Sequence, residues 1–210
     1  YRYGSICEPD IIASFKHLGF NITEDTREVY NKQLLPSDCI KGLNELLKQD
    51  TYSFIFSINF FPSVSDVCNI WGIPYLCLIV DSPVLELFST SLANPCNKVF
   101  LFDRQLYNDF HHINPDGIFH IPLATNVRDN YATATMASAA DRARFSSDIS
   151  FIGSLYSEKC LYNKITLPEK MRGYVDGLIE AQLLVYGYNF IEECVTPELI
   201  DSFTKARPEL

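Results

Sequence analysis

Several short apolar runs in this sequence end in polar or small residues that could bind or react with a ligand. In open parallel α/β sheets, ligands bind beyond the carboxyl ends of the strands, where such residues would collect. The pattern therefore predicts a substrate-binding set at Gly4, Ser5, Asn59, Ser82, Asp103 and Arg104. Gly4-Ser5 would let an anion approach the start of a helix, although a plain strand-to-helix turn fits these two residues equally well.

Two acidic residues are candidates for catalysis. Asp81 follows an aliphatic run and precedes Ser82-Pro83, so its carboxylate could accept a proton from a substrate hydroxyl. It could instead cap a short helix over residues 83–88. Glu8 is the second candidate, although it lies with Asp10 at the start of a predicted helix, where acidic residues commonly compensate the helix dipole. The sequence leaves these alternatives open.

Other catalytic motifs do not occur in the sequence. The dinucleotide fingerprint G-x-G-x-x-G is missing, which disfavours a classical NAD enzyme, and without a G-x-S-x-G elbow nucleophilic catalysis has no support. The four histidines show no metal-binding spacing, and the seven cysteines contain no C-x-x-C pair. We therefore expect reduced thiols, mostly in the core, and no metal site.

The chain carries a net charge of −9, from 17 basic and 26 acidic residues. Nucleic-acid binding depends on clustered Lys and Arg side chains, and without such a cluster we expect no nucleic-acid partner. An anionic membrane surface is disfavoured for the same reason. With no signal peptide and no apolar run near the ~20 residues of a membrane span, we predict a cytoplasmic protein.

Helix-like and strand-like patterns alternate through the first 125 residues. Apolar residues at helical spacing predict helices around Ile11–Leu18, from Ser37 onward, over Val64–Trp71 with a stop at Gly72, and around Leu106–Phe110. The first helix begins either with a Ser5–Glu8 capping box or with Pro9 at its first position. Runs of aromatic and β-branched residues predict strands over Tyr52–Ile58, Ile73–Val80, Val99–Phe102 and Gly117–Ile121, the first two of them buried.

Two further segments read as strands. Tyr1–Gly4 resembles the end of a strand, which predicts that the sequence is a fragment or a trimmed chain, and Asn21–Thr23 would be a short second strand. The alternation implies right-handed βαβ crossovers and a parallel sheet. With about five such units by Ala124, we predict a complete Rossmann-like, doubly wound α/β domain over residues 1–125.

The second part of the sequence changes character. Residues 126–147, rich in Ala, Thr and Ser, are interpreted as a connector. Asp148–Gly153 is predicted to be a new strand, and a Thr166–Glu169 capping box opens a long helix. Another short helix would start at Thr196-Pro197. Residues 148–210 are thus expected to be the incomplete start of a second domain.

Six segments in this order carry a family resemblance: Ser57–Pro62, Gly72–Tyr75, Val80–Pro83, Val99–Asp103, His120–Ala124 and Asp148–Tyr156. Together they resemble the CgeB-like (spore maturation protein) group of bacterial glycosyltransferases, over roughly residues 1–156. The resemblance implies a GT-B architecture, in which an amino-terminal Rossmann-like domain shapes the acceptor site and a carboxy-terminal one binds the nucleotide-sugar. It also places Gly153 and Ser154 near the donor phosphates.

The function implied by this resemblance is sugar transfer from a nucleotide-sugar to a glycan, protein or small-molecule acceptor. The nucleotide-sugar would be the donor substrate, and no cofactor is expected. Because the rest of the donor domain has no counterpart in residues 157–210, these 210 residues alone are expected to lack full activity. A non-catalytic Rossmann-like binding module and a nucleotide-sugar epimerase or hydrolase are the alternatives.

Overall fold

The computed structural model of the chain describes residues 1–127, 132, 135–153, 157 and 160–206. The chain divides into two compact units, Tyr1–Ala139 and Ala140–Leu210. This division lies inside the segment 126–147 that the sequence interprets as a connector.

A parallel sheet forms the centre of the first unit. Among the described residues it has four strands, β1 (Ile55–Ile58), β2 (Tyr75–Ile79), β3 (Asn97–Leu101) and β4 (Ile118–His120). They lie side by side in the order β1-β2-β3-β4, and every neighbouring pair is parallel. With helices packed against this sheet, the unit has the mixed α/β, Rossmann-like fold that the sequence predicts.

The two additional strands expected near the beginning of the chain are not formed. The Tyr1 nitrogen donates to the Phe56 carbonyl at 2.8 Å, and the Arg2 amide donates to the Asp25 carbonyl at 2.9 Å. Residues 1–4 therefore run beside β1, but these single contacts do not make a ladder. The segment Asn21–Thr23 is likewise irregular, so the prediction of about five strand–helix units is wrong for the described residues.

Within residues 1–126, five helices and three 3₁₀ turns surround the sheet. The helices are α1 (Glu8–His17), α2 (Arg27–Tyr30), α3 (Pro36–Gln49), α4 (Pro62–Trp71) and α5 (Arg104–Phe110), and the turns are Leu85–Phe88, Thr90–Ala93 and His111–Ile113. The predicted stop of α4 is confirmed, because Gly72 adopts the left-handed φ of 66° that ends a helix at little cost for glycine.

Two helix starts differ from the predicted ones. Leu35 precedes the first turn of α3, and Ser37 lies inside the helix without capping it. Helix α1 begins at Glu8, which puts Pro9 at its second position. The Glu8 carboxylate reaches back to the amides of Tyr3 and Gly4. These amides lie two residues and one residue before Ser5, so the contact is not the predicted Ser5–Glu8 capping box.

The strand order decides which face of the sheet is covered. Because all crossovers step the same way and such crossovers are right-handed, the connecting elements fall on one face, here called the core face. The core-face side chains of the two central strands are fully buried: Tyr75, Cys77, Ile79, Asn97, Val99 and Leu101. Their neighbours Leu76, Leu78 and Phe100 are only half-buried, so β2 is not buried on both faces as predicted.

Helix α1 covers the opposite face at its β1 end. The Phe15 ring packs at 5.7 Å from the Phe54 ring and at 5.2 Å from the Phe56 ring. At the β4 end of this face, Phe100 stacks on Phe119 at 5.5 Å, and Phe119 remains 38% exposed. Helices therefore flank both faces of the sheet, but unequally.

The second unit is helical in its described part. Helix α6 (Ala139–Phe145) lies at the division, followed by α7 (Glu169–Leu183) and α8 (Pro197–Ala206) with 3₁₀ turns at Leu161–Lys164 and Glu192–Cys194. Helix α7 starts after Pro168 without a side-chain cap, so the expected Thr166–Glu169 capping box is not formed. None of the described helices of the chain is both long and apolar enough to cross a membrane.

The strand expected at Asp148–Gly153 is absent. These residues are irregular, and the Ile149 and Ile152 side chains are 94% and 97% exposed. A strand needs a neighbour to pair its backbone groups, and the described residues of this unit contain no strand. An apolar run alone therefore did not make a strand here.

The buried side chain of Asn97 connects the core face of the sheet to the 3₁₀ turn that precedes β3. Asn97 is fully buried, and its side-chain amide donates to the carbonyls of Ser91 at 2.8 Å and Leu92 at 3.1 Å. Its side-chain oxygen accepts from the Ser65 hydroxyl of α4 at 2.7 Å. This one side chain thus ties β3, the 3₁₀ turn and α4 together.

Replacing Asn97 by Ala should destabilise the first unit by about 1–3 kcal/mol, because buried groups of Ser65, Ser91 and Leu92 would lose a partner. The measurement is urea unfolding followed by circular dichroism. Asn108→Ala, an exposed change on α5, is the control and should alter the free energy of unfolding by less than about 0.5 kcal/mol. Equal effects of the two changes would contradict this role for Asn97.

Candidate functional site

Polar side chains meet at the carboxyl ends of the parallel strands. We call Tyr3, Asn59, Asp81, Ser82 and Asp103 the carboxyl-edge cluster. Asn59 follows β1, Asp81 and Ser82 follow β2, and Asp103 follows β3. Hydrogen bonds join them in two groups, Tyr3–Asn59–Asp81 and Ser82–Asp103. The topology therefore brings four of the predicted site residues to one edge, as expected for a parallel sheet.

Asn59 is the centre of the first group. Its side-chain amide donates to Asp81 Oδ2 at 2.6 Å and to Tyr3 Oη at 3.0 Å, and its Oδ1 accepts from the Val80 amide at 3.0 Å. Its backbone has a φ of 57°, the left-handed conformation that asparagine tolerates better than most residues. Strain of this kind, of order 1–3 kcal/mol, persists only where surrounding contacts over-determine it.

Two hydroxyls below the Asn59 turn hold it in place. Ser57 Oγ donates to the Asn59 carbonyl at 2.7 Å and lies 2.6 Å from the hydroxyl of the fully buried Tyr75. The same Tyr75 oxygen accepts from the Phe61 amide at 3.0 Å. Burial raises the pKa of Tyr75 well above its ordinary value, so this hydroxyl stays protonated. The turn is thus supported from both sides of Asn59.

Asp81 presents an exposed carboxylate beside this turn. Its Oδ2 is held by Asn59, whereas its Oδ1 is engaged by no described residue. The alternative role as a helix cap is wrong, because the 3₁₀ turn Leu85–Phe88 begins after Val84 and has no side-chain cap. The Ser82–Pro83 peptide bond that follows is cis. Asp81 is therefore oriented by a neighbour and open to a ligand.

Asp103 both caps helix α5 and accepts a hydrogen bond from Ser82. Its Oδ1 accepts from the Gln105 amide at 2.7 Å and from the Leu106 amide at 3.3 Å, which caps α5. Its Oδ2 accepts from Ser82 Oγ at 2.9 Å. The Ser82 hydroxyl and then these amides lower the pKa of Asp103 below its ordinary value. Asp103 therefore stays ionised and fixes Ser82 at the edge.

Arg104 follows Asp103 at the start of α5. Its Nη2 lies 3.5 Å from His120 Nδ1 at the end of β4, and its side chain is exposed. The chain then turns back from β4 toward α1, where the Asn126 side-chain amide donates to Asp10 Oδ1 at 2.9 Å. Residues 121–126 thus link the β4 end of the sheet to the start of α1.

Glu8 lies beneath the turn that leads into α1. Its carboxylate is 4% exposed, and it accepts from Arg2 Nε at 2.8 Å and from the amides of Tyr3 and Gly4 at 2.9 Å each. Burial favours the neutral acid, but the Arg2 guanidinium and the backbone amides outweigh it, so the pKa of Glu8 is lowered. To act as a base, Glu8 would have to leave these partners.

Gly4 and Ser5 complete the same turn. Gly4 has a φ of 94°, and a Cβ there would lie 3.2 Å from Lys32 Nζ, so both conformation and space favour glycine. Ser5 Oγ accepts from the Cys7 amide at 3.4 Å. Because Glu8 already occupies the amides of residues 3 and 4, this turn offers fewer free donors to an anion than the sequence suggests.

The remaining predicted site residues lie elsewhere. Gly153 belongs to the second unit, in the exposed irregular segment described above, and Ser154 lies outside the described residues. Within the described ranges, no group of three or more His, Cys, Asp or Glu side chains is arranged to hold a metal ion.

Sequence reasoning missed Tyr3 and Tyr75. Tyr3 reaches Asn59 across 56 residues, and Tyr75 reaches Ser57 across 18, so neither contact has a local signal. The alternation of β2 predicts that Tyr75 is buried, and a buried tyrosine hydroxyl needs a partner.

A recess of about 190 Å³ beside the cluster is lined by Tyr3, Glu28, Asn59, Phe60, Phe61 and Glu86.

Replacing Glu8 by Gln should remove part of the acid sensitivity of the fold. Because the folded pKa of Glu8 lies below its ordinary value of 4.5, the unfolded chain binds more protons between these two values. Glu8 therefore stabilises the fold above pH 4.5, and this contribution is lost as the pH falls through the folded pKa. Urea unfolding between pH 7 and pH 3 should show a smaller loss of stability for Glu8→Gln than for wild type.

The matched control is Glu45→Gln, an exposed change on α3 that should leave the pH dependence of wild type unchanged. At pH 7, Glu8→Gln should be the less stable of the two variants, because it weakens the contact with Arg2. Parallel stability curves for wild type and Glu8→Gln would show that the carboxylate charge does not hold this turn.

The chain was compared with protein-family models, with curated proteins and with solved structures, and none of them matches it.

Proposed function

We propose that the first unit is the acceptor-binding part of a glycosyltransferase and that Asp81 receives the acceptor hydroxyl. The observation that carries this proposal is the exposed Asp81 carboxylate, which the Asn59 amide orients at 2.6 Å. A carboxylate held in this way can accept a hydrogen bond from a sugar hydroxyl and then its proton. The resemblance to CgeB-like enzymes supports the same reaction class.

The proposed transfer has a simple balance of bonds. The acceptor oxygen bonds to the anomeric carbon of the donor sugar, and its proton passes to Asp81. The bond between that carbon and the nucleoside diphosphate breaks, and the diphosphate leaves with the electron pair. The contribution of the first unit is to position the acceptor, which lowers the entropic part of the barrier.

Two neighbours of Asp81 suit a hydroxyl-rich acceptor. The Tyr3 hydroxyl lies within hydrogen-bond distance of the Asn59 amide, and burial raises the pKa of Tyr3, which keeps this group neutral. Ser82 adds a second hydroxyl, held by Asp103. Neutral hydroxyl and amide groups around one carboxylate can bind several sugar hydroxyls at once. The cluster suits phosphate groups less well, because the carboxylates of Glu8, Asp81 and Asp103 would repel their negative charge.

The proposal is tested by titrating the ¹⁵N-labelled chain with a panel of mono- and disaccharides and following its amide resonances. Acceptor saccharides should shift the Asn59 side-chain amide and the Ser82 backbone amide. Asp81→Asn should weaken this binding about tenfold, because a charge-assisted hydrogen bond contributes about 1.5–3 kcal/mol. The control Asp116→Asn removes an exposed carboxylate just before β4, at the opposite edge of the sheet, and should bind as wild type does.

Folded wild-type chain that shows no saccharide-dependent shift near Asn59 would contradict the proposal. A second assay follows the release of nucleotide from UDP-, GDP- and TDP-sugars with and without the bound saccharide. Saccharide-dependent release would support the transferase over a non-catalytic binding module. Nucleotide release that needs no acceptor would favour an epimerase or hydrolase.

A further inference from the structure

A cavity lies away from the carboxyl-edge cluster, at the outer edge of β1. It encloses about 400 Å³ between α1 and α3. Its apolar lining comes from both helices and from β1: Ile11, Ile12, Phe15, Leu43, Leu46, Leu47, Phe54 and Phe56. The cavity therefore lies beside the edge strand β1, where a further strand of the sheet would be. The apolar side chains of α1 and α3 line it. We call it the edge slot.

The backbone of β1 forms one wall of the edge slot. Ile55 and Asn59 donate their amides to β2, at the carbonyls of Pro74 and Leu78. In a parallel ladder, residues that alternate with these direct their N–H and C=O groups to the other side. Phe54, Phe56 and Ile58 consequently present backbone groups to the edge slot. Such an exposed edge is a template for another strand.

Residues 1 and 2 already occupy the end of the edge slot nearest the carboxyl-edge cluster. The Tyr1 nitrogen donates to the Phe56 carbonyl, and the Arg2 amide donates outward to the Asp25 carbonyl. Consecutive residues that bond to opposite neighbours are the pattern of a strand with a partner on each side. Tyr3 then reaches Asn59, so this segment runs parallel to β1.

We propose that the edge slot binds an extended, apolar polypeptide strand that lies parallel to β1, in line with Tyr1 and Arg2. Alternate side chains of such a strand would pack on Ile12 and Phe15 of α1 and on Leu43 and Leu46 of α3. Its backbone would pair with the N–H groups of Phe54 and Phe56 and with the Phe54 carbonyl, since the Phe56 carbonyl already accepts from the Tyr1 nitrogen. The cavity and the hydrogen-bond pattern carry this proposal, and it does not depend on the proposed transferase function.

A strand fits these features better than a small apolar ligand does. A hydrocarbon would fill the space between the helices but leave the Phe54 and Phe56 N–H groups and the Phe54 carbonyl without partners, at a cost for each buried group. A strand of about six residues spans ~20 Å at ~3.3 Å per residue, which matches a run along β1 and the residues before it. It also offers apolar side chains to both helical layers at once.

The test joins a six-residue segment, Lys-Val-Leu-Ile-Val-Val, to the nitrogen of Tyr1 in the 210-residue chain. Tethering supplies the strand at high effective concentration. The matched control carries Lys-Val-Pro-Ile-Pro-Val, which cannot donate from its proline positions or continue a ladder. Hydrogen exchange of the Phe54 and Phe56 amides should be at least about tenfold slower with the first segment than with the control.

A second variant tests the slot itself. Leu46→Lys puts a charge into the edge slot from the half-buried face of α3, and it should abolish the protection in the chain that carries the apolar segment. Binding of the apolar dye ANS to the chain without an extension should also be displaced by that segment. Equal exchange in the apolar and proline extensions, or ANS that stays bound alongside the apolar segment, would overturn the proposal.

Discussion

The constraint on which the first unit depends is the strand order β1-β2-β3-β4 with parallel neighbours. Each crossover moves one strand further in the same direction, and right-handed crossovers that all step in one direction lie on one face of the sheet. This order places α4, the 3₁₀ turns and α5 on the core face. The parallel alignment also brings the carboxyl ends of all four strands to one edge, where the polar residues that follow them become neighbours. The cluster and the uneven cover of the sheet thus have one cause.

The carboxyl-edge cluster is supported by buried groups rather than by its own contacts. Tyr75 and Ser57 lie on the core face and hold the Asn59 turn from below. Asn59 in turn orients Asp81, so two residues, Ser57 and Asn59, connect a fully buried phenol to an exposed carboxylate. Side chains oriented through such support keep their geometry when a ligand binds, and pre-organisation of this kind is what catalysis requires.

The acidic residues near the cluster divide into occupied and open groups. Glu8 and Asp103 are engaged by backbone amides, and their pKa values are lowered for that reason together with contacts to Arg2 and Ser82. Asp81 keeps one oxygen that no described residue engages. The division gives each carboxylate a distinct part: Glu8 holds the turn before α1, Asp103 caps α5, and Asp81 is the one with an exposed, open oxygen. Sequence position alone could not separate them, because all three follow or precede a predicted strand.

By itself, the sequence determined those features that depend on local pattern. The four strands follow from their apolar runs, the end of α4 follows from Gly72, and Asn59, Asp81 and Asp103 follow strands because turn residues end apolar runs. Only the tertiary structure decided which of these residues touch. Pairing of strands and contacts such as Tyr3 with Asn59 join residues far apart in the chain, and their energy depends on neighbours that no local window contains. For the same reason, the segments Asn21–Thr23 and Asp148–Gly153, which the sequence predicts to be strands, are irregular: their backbones have no neighbouring strand to pair with among the described residues.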